Sequence, residues 1–291
     1  YSFQGTISGY GMGGFVGSNV QVNTIDKFSF TADADATDVG DLTVGKQAMV
    51  GHKSITHGYV AGGYISGGGN KNEIEKFTFA TDADATDVGD LTHARSTAAG
   101  QSSSTHGYTS GGAASPVNDE IDKFPFASDA NATDVGNLTV PRLECWGQSS
   151  STHGYTCGGS TQNIIDKFTF AADANATDVG DLTVAKNNCS GQSSSTHGYS
   201  SGGSSSVYYT DIDKFTFASD ANATDVGDIT LARSSGGGQS STTHGYHSCG
   251  YIGPSGWNNT LDKFTFASDA NATDVGDMTV ARSETVAGTQ Y

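Results

Sequence analysis

The sequence predicts an all-β protein: a six-bladed β-propeller of four-stranded blades, with residues 1–291 forming one domain. Three observations carry this. The sixteen residues DKFTFASDANATDVGD occur letter for letter at Asp213–Asp228 and Asp262–Asp277, and looser copies begin at Asp26, Glu75, Asp122 and Asp166. Each of those six acids lies 20 residues before a basic residue (Lys46, Arg95, Arg142, Lys186, Arg233, Arg282), and the next tyrosine (Tyr59, Tyr108, Tyr155, Tyr199, Tyr246) follows 13 residues later. Finally, 40 glycines interrupt short runs of Phe, Tyr, Val, Thr and Ile, a texture that disfavours long helices and suits strands.

A period of 44 to 49 residues holding several short strands is the signature of a propeller blade. Four strands are expected per unit. In the fourth unit the first lies around Gly147–Ser150, before the turn Ser151-Thr152-His153-Gly154. The second is Tyr155–Gly158, the third Ile165–Phe170, and the fourth Val179–Thr183 after an Asp/Asn-rich turn. One such sheet cannot bury both faces alone, and stacking sheets in a ring solves that. The opening SGYGMGG matches the second strand of a blade, and the closing VARSETVAGTQY runs on into the place of a first strand. The two chain ends are therefore expected to complete one blade and close the ring, which removes the open edge of a linear array. The join spans 19 residues where 13 would do, so about six terminal residues lack a predicted place.

HGYTSGG, a hydrophobic-acid-x-aromatic strand, an Asp/Asn turn and then LTVPR together resemble the kelch repeat. The resemblance covers nearly the whole chain in six copies. It departs from the kelch pattern where a fourth-strand tryptophan is expected and Val179 and Leu182 stand instead. The near-verbatim DANATDVGD style also resembles repeats in structural proteins of marine viruses and cyanophages.

The formal charge of −17 repels phosphate backbones and argues against nucleic acid. No apolar run reaches the roughly 18 residues of a membrane span. Cys145, Cys157, Cys189 and Cys249 fit neither a dense disulfide scaffold nor a CxxC metal pattern. They are expected to be mostly unpaired thiols, with one disulfide left open.

Strand alternation puts the Thr-His-Gly turns and the Asp-rich turns on one face of the disc, nearly identical in every blade. In the Asp-rich turn Asp82, Asp84, Asp87 and Asp90 alternate around Gly89, which resembles an oxygen-ligand calcium loop. No Glu follows to complete one, and Asx-type turn chemistry explains the same letters. No cofactor is expected, weak calcium binding at these four residues and their equivalents being the alternative. Asn131, Asn175, Asn222 and Asn271 sit in Asn-Ala-Thr sequons. His57, His106, His153, His197 and His244 could ring a channel and hold a metal, though turn residues are the simpler reading. The Lys/Arg ring is expected to pair with the repeat acids or face water.

The other face carries the loops of unequal length, where insertions that differ between repeats commonly mark binding. The candidate site residues there are Phe15, Tyr64, Tyr208, Tyr209, Tyr251, Trp257 and Asn258, with Trp146 on a link between blades and Asn19 beside Phe15. Aromatic planes next to amides and carboxylates suit sugars, and Tyr and Trp equally suit a protein contact. Catalysis needs one nucleophile and one base in an asymmetric place, whereas nearly every polar constellation here recurs five or six times. The expectation is a non-enzymatic structural or recognition module on a virion or other extracellular assembly. Its partner would be another protein of that assembly or a second copy. A lectin-like glycan binder is the alternative, and a cellular kelch-type adaptor a further one.

Overall fold

The third strand of each repeat buries residues on both of its sides. In Ile164–Thr169, Ile165, Asp166 and Phe168 are all buried, a pattern that demands a neighbour against each face of the sheet. The computed structural model describes residues 3–16, 20–284 and 289–291, and it supplies those neighbours by arranging six four-stranded antiparallel sheets as a propeller.

Blade 4 is typical, with strands Trp146–Ser149, His153–Cys157, Ile164–Thr169 and Thr177–Asp181 from the axis outward. The strands begin one or two residues earlier than the sequence pattern suggests. Gly158, at φ +58°, turns the chain away and ends the second strand. The innermost strands touch one another around the axis. Blade 1 draws its innermost strand, Thr289–Gln290, from the C-terminus, pairing with Gly9 and Tyr10 of Ser8–Met12. The ring is thus closed by the two chain ends. Of the surplus N-terminal residues, Phe3–Gly5 find a place. Gly5 N–H donates to Ser240 O at 2.8 Å, Gln4 Nε2 to Ser193 O at 3.0 Å and Lys53 Nζ to Gln4 O at 3.3 Å. Phe3–Gly5 therefore crosses the axial opening on the turn face.

Six hydrophobic clusters fill the gaps between consecutive blades, each drawing residues from both neighbours. Tyr155 of blade 4 stacks on Phe217 of blade 5 at 4.8 Å and meets Phe215 at 5.4 Å, and Tyr246 of blade 6 treats Phe28 and Phe30 of blade 1 in the same way. Beneath each such ring the His-Gly-Tyr glycine is obligatory: a Cβ on Gly198 would lie 2.3 Å from Phe215 Cζ.

The basic residue after each blade reaches forward to the acid of the next. Lys46 pairs with Glu75, Arg95 with Asp122, Arg142 with Asp166, Lys186 with Asp213, Arg233 with Asp262 and, across the closure, Arg282 with Asp26. All twelve side chains are fully buried. The same acids accept hydrogen bonds from the Leu-Thr, Ile-Thr or Met-Thr segment of the preceding blade, as Thr230 N–H and Oγ–H donate to Asp262 at 2.8 and 2.7 Å. Acid and cation on consecutive blades thus form one buried, hydrogen-bonded unit, the condition under which buried charge is tolerated. The four cysteines are free and buried, and burial raises their thiol pKa values.

Candidate functional site

On the turn face the repeated polar chemistry is occupied in joining blades and in shaping the turns themselves. Asp82 takes the Lys27 ammonium at 3.1 Å, Asp84 Oδ1 accepts Asp41 N–H at 3.0 Å, and Asp87 Oδ1 accepts Gly89 N–H at 3.2 Å. Asp90 donates its own N–H to Asn131 Oδ1 at 3.1 Å. The same three side-chain roles recur around the disc, with Asn175, Asn222 and Asn271 in the place of Asp84. Among the described residues no group of three or more His, Cys, Asp or Glu side chains is arranged to hold a metal ion. Each repeat histidine meets the preceding threonine hydroxyl through Nδ1, as His57 does Thr56 at 2.8 Å. Partial burial lowers the pKa of all five.

The loop face departs from this uniformity. Two residues beyond each basic residue, the chain adopts a left-handed backbone: Ala48 φ +55°, Thr97 +51°, Glu144 +60°, Asn188 +55°, Ser235 +59° and Glu284 +53°. Such φ values are uncommon outside glycine. Here they are held by a closed circuit of hydrogen bonds, each residue's N–H donating to the carbonyl of its counterpart one blade back, at 2.7–3.0 Å. The circuit frames the mouth of the axial channel with six side chains. Glu144 and Glu284 stand opposite each other in it, three blades apart. Inside the mouth lies a narrow cavity of about 20 Å³, room for about one water, lined by Met49, Ala98, Trp146, Ser235 and Glu284 among others.

A second, more open cleft of about 270 Å³ adjoins the mouth and shares Ser235 and Glu284 with it; Phe15, Tyr251, Trp257 and Ser283 complete its lining. Its aromatic wall exists because blade 6 lengthens its second and third strands to His244–Tyr251 and Trp257–Thr265. The resulting hairpin projects on the loop face and sets Tyr251 opposite Trp257. Phe15 is brought in from blade 1 by backbone pairing with Ser283, its N–H donating to Ser283 O at 2.8 Å. Ring centroids of Phe15 and Trp257 lie 5.9 Å apart, of Tyr251 and Trp257 6.2 Å, and of Tyr208 and Tyr251 5.9 Å, with interplanar angles of 67°, 54° and 69°. The Glu284 carboxylate accepts a hydrogen bond from Gln47 Nε2 at 2.5 Å. Burial raises its pKa, and the Glu144 charge adds to the effect.

No protein-family model matches this chain. Nor does any curated protein match it in sequence.

The structure thus gathers four of the predicted residues, Phe15, Tyr208, Tyr251 and Trp257, into one patch, and puts Trp146 at the start of an innermost strand in the adjoining axial mouth. The others stand apart. Tyr64 lies on a small hairpin of blade 2, its backbone paired with Gln47. Tyr209 is held locally, its hydroxyl 2.9 Å from Ser205 Oγ and its ring 5.8 Å from the Lys186 ammonium. Asn258 Oδ1 accepts Thr260 N–H at 2.7 Å, which shapes the blade 6 hairpin. Asn19 lies outside the described residues. Sequence reasoning missed Ser235, Ser283 and Glu284. Their signal was available: the two positions after the basic residue of each repeat read Gln-Ala, Ser-Thr, Leu-Glu, Asn-Asn, Ser-Ser and Ser-Glu.

Proposed function

We propose that this protein is a non-enzymatic recognition and assembly module, a rigid disc that presents its loop face to a partner protein. The observation that carries the reading is the contrast between the two faces. The polar groups of the turn face are repeated and engaged in joining blades or in shaping their own turns. The unrepeated residues Phe15, Trp146, Tyr251, Trp257 and Glu284 converge on the loop face around two connected cavities. A preorganised surface of this kind loses little ordering entropy on contact, and its Tyr and Trp are the residue types that dominate interface energetics. The kelch-like repeat and the likeness of the Asp-rich segment to repeats of marine-virus structural proteins support a place on a virus particle or another extracellular assembly. Serine hydroxyls and a carboxylate beside aromatic rings favour a second reading, a glycan ligand.

The test is a comparison of wild type with Trp257→Phe and Tyr251→Ala variants on a glycan array and in pull-downs against the products of neighbouring genes. Binding lost in the loop-face variants and retained when the turn-face Lys214 is changed to Ala supports the reading. Binding that follows Lys214 and ignores the loop-face variants overturns it.

A further inference from the structure

The shape and charge of the aromatic cleft narrow its ligand, on the reading that this face is a recognition surface. A sugar ring is bound by stacking on a flat platform, but Trp257 stands at 67° to Phe15 and at 54° to Tyr251, so these rings line the cleft at differing angles. Faces of aromatic rings attract cations, and a cage of such faces is the arrangement that selects an ammonium or guanidinium group. The lining also includes Glu284, with Glu144 on the same axial circuit.

Among the described residues, no cation lines the cleft. Arg233 and Arg282, whose links supply Ser235, Ser283 and Glu284, are fully buried and already paired with Asp262 and Asp26. The described loops and links of this face and the first residues of the third strands carry Glu73, Asp119, Glu120, Glu144, Asp211 and Glu284 beyond those buried pairs, against Lys71 and His93. A chain of formal charge −17 draws basic partners and repels acidic ones.

We propose that the cleft receives a basic side chain, Arg or Lys, from a partner protein, with Phe15, Tyr251 and Trp257 as the cage and Glu284 as the counter-charge. Glu284 is the specificity element. It enters the circuit through its backbone, Gln47 Nε2 holds one of its carboxylate oxygens, and the other is offered to the ligand, so changing the side chain to a carboxamide leaves the backbone circuit intact.

Trp257 provides the readout once the other tryptophan is changed by Trp146→Phe. In that background, fluorescence is titrated with the capped peptide Gly-Gly-Arg-Gly-Gly, with its citrulline counterpart, which has the same shape and no charge, and with methyl glucoside. The arginine peptide is expected to bind at least about tenfold more tightly than the citrulline peptide, and Glu284→Gln is expected to remove most of that difference, in line with a desolvated cation–aromatic and charge contact. Unchanged thermal unfolding of the Glu284→Gln variant confirms that the fold is not what changed. Equal binding of the two peptides, or preference for the glucoside, overturns the cationic assignment and leaves the recognition cleft standing. No response to any of the three probes overturns both.

Discussion

The buried ion pairs between blades make a quantitative claim that one pair can test. Asp262 is fully buried and accepts Thr230 N–H at 2.8 Å, Thr230 Oγ–H at 2.7 Å and Arg233 Nη2 at 3.0 Å. Arg233→Met leaves the carboxylate buried with Thr230 as a neutral donor, and Asp262→Asn leaves the guanidinium buried without its counter-charge. Removing one member of a buried pair costs about 3–5 kcal/mol, and that is the loss expected for each single variant. In the double variant no charge remains buried, and the carboxamide oxygen introduced by Asp262→Asn still accepts from Thr230. The cost should then fall to about 1–2 kcal/mol, the range of a lost hydrogen bond and imperfect packing. The coupling in a double-mutant cycle is accordingly several kcal/mol. Equilibrium urea unfolding followed by circular dichroism measures it. The partly exposed pair Lys263–Asp33, with side chains 21% and 60% exposed, is the internal control, and Lys263→Met should cost at most about 1 kcal/mol. Should Arg233→Met cost no more than Lys263→Met, the argument that these pairs clamp the blades together is refuted.

Further outcomes follow from the same geometry. Burial pushes the His52 imidazole down to about 4, so the unfolded chain binds the extra proton between about pH 6.5 and 4; stability contributed by neutral His52 is full above pH 6.5 and declines through that window, by about 3 kcal/mol. His52→Gln, which installs the residue found at Gln101, Gln148, Gln192 and Gln239, should reduce the pH dependence in urea titrations at pH 7 and pH 4.5, the remainder coming from His247 and the repeat histidines, whose pKa values burial also lowers. Gly198→Ala forces a Cβ into the Phe215 ring and should cost at least about 1–3 kcal/mol, while Gly68→Ala, whose nearest new contact is 3.4 Å, should stay within about 0.5 kcal/mol of wild type; urea unfolding compares the two. Deleting Thr289–Tyr291 removes the closing strand, three N–H donations to the Tyr291 carbonyl and the Tyr291–Phe79 stack. The truncated protein should melt earlier and show higher-order species by size-exclusion chromatography.

Much of the architecture was legible because it is written six times. The constant 20-residue step from Asp166 to Lys186 or Asp213 to Arg233 identified a rigid unit whose length cannot vary. It could not show that Lys186 grips Asp213 of the next blade and leaves Asp166 to Arg142, since spacing within a repeat is silent about contacts between repeats. The aromatic residues of the cleft were legible as unrepeated letters in loops of unequal length. What gathers them was not: the projection of the blade 6 hairpin depends on Gly253 and Gly256 at φ +68° and +92°, and Phe15 is placed by pairing with Ser283, at the other end of the chain. The axial circuit was the least legible feature. Side chains as different as those of Ala48, Thr97, Glu144, Asn188, Ser235 and Glu284, none of them glycine, share the left-handed conformation. Only closure of the ring of hydrogen bonds makes that conformation favourable there, and closure is a property of the whole molecule.

Because Tyr155 reaches forward to Phe215 and Arg142 forward to Asp166, every blade has a giving side and a receiving side, and all six gaps use the same handedness of fit. In terms of symmetry the molecule is a head-to-tail hexamer whose protomers happen to be joined by peptide bonds. Such an interface is indifferent to whether the next unit belongs to the same chain. A piece comprising two or three repeats would leave one donor flank and one acceptor flank uncovered, and these match each other. Copies of the piece would therefore complete the circle between separate molecules, as they would for any piece whose number of repeats divides six.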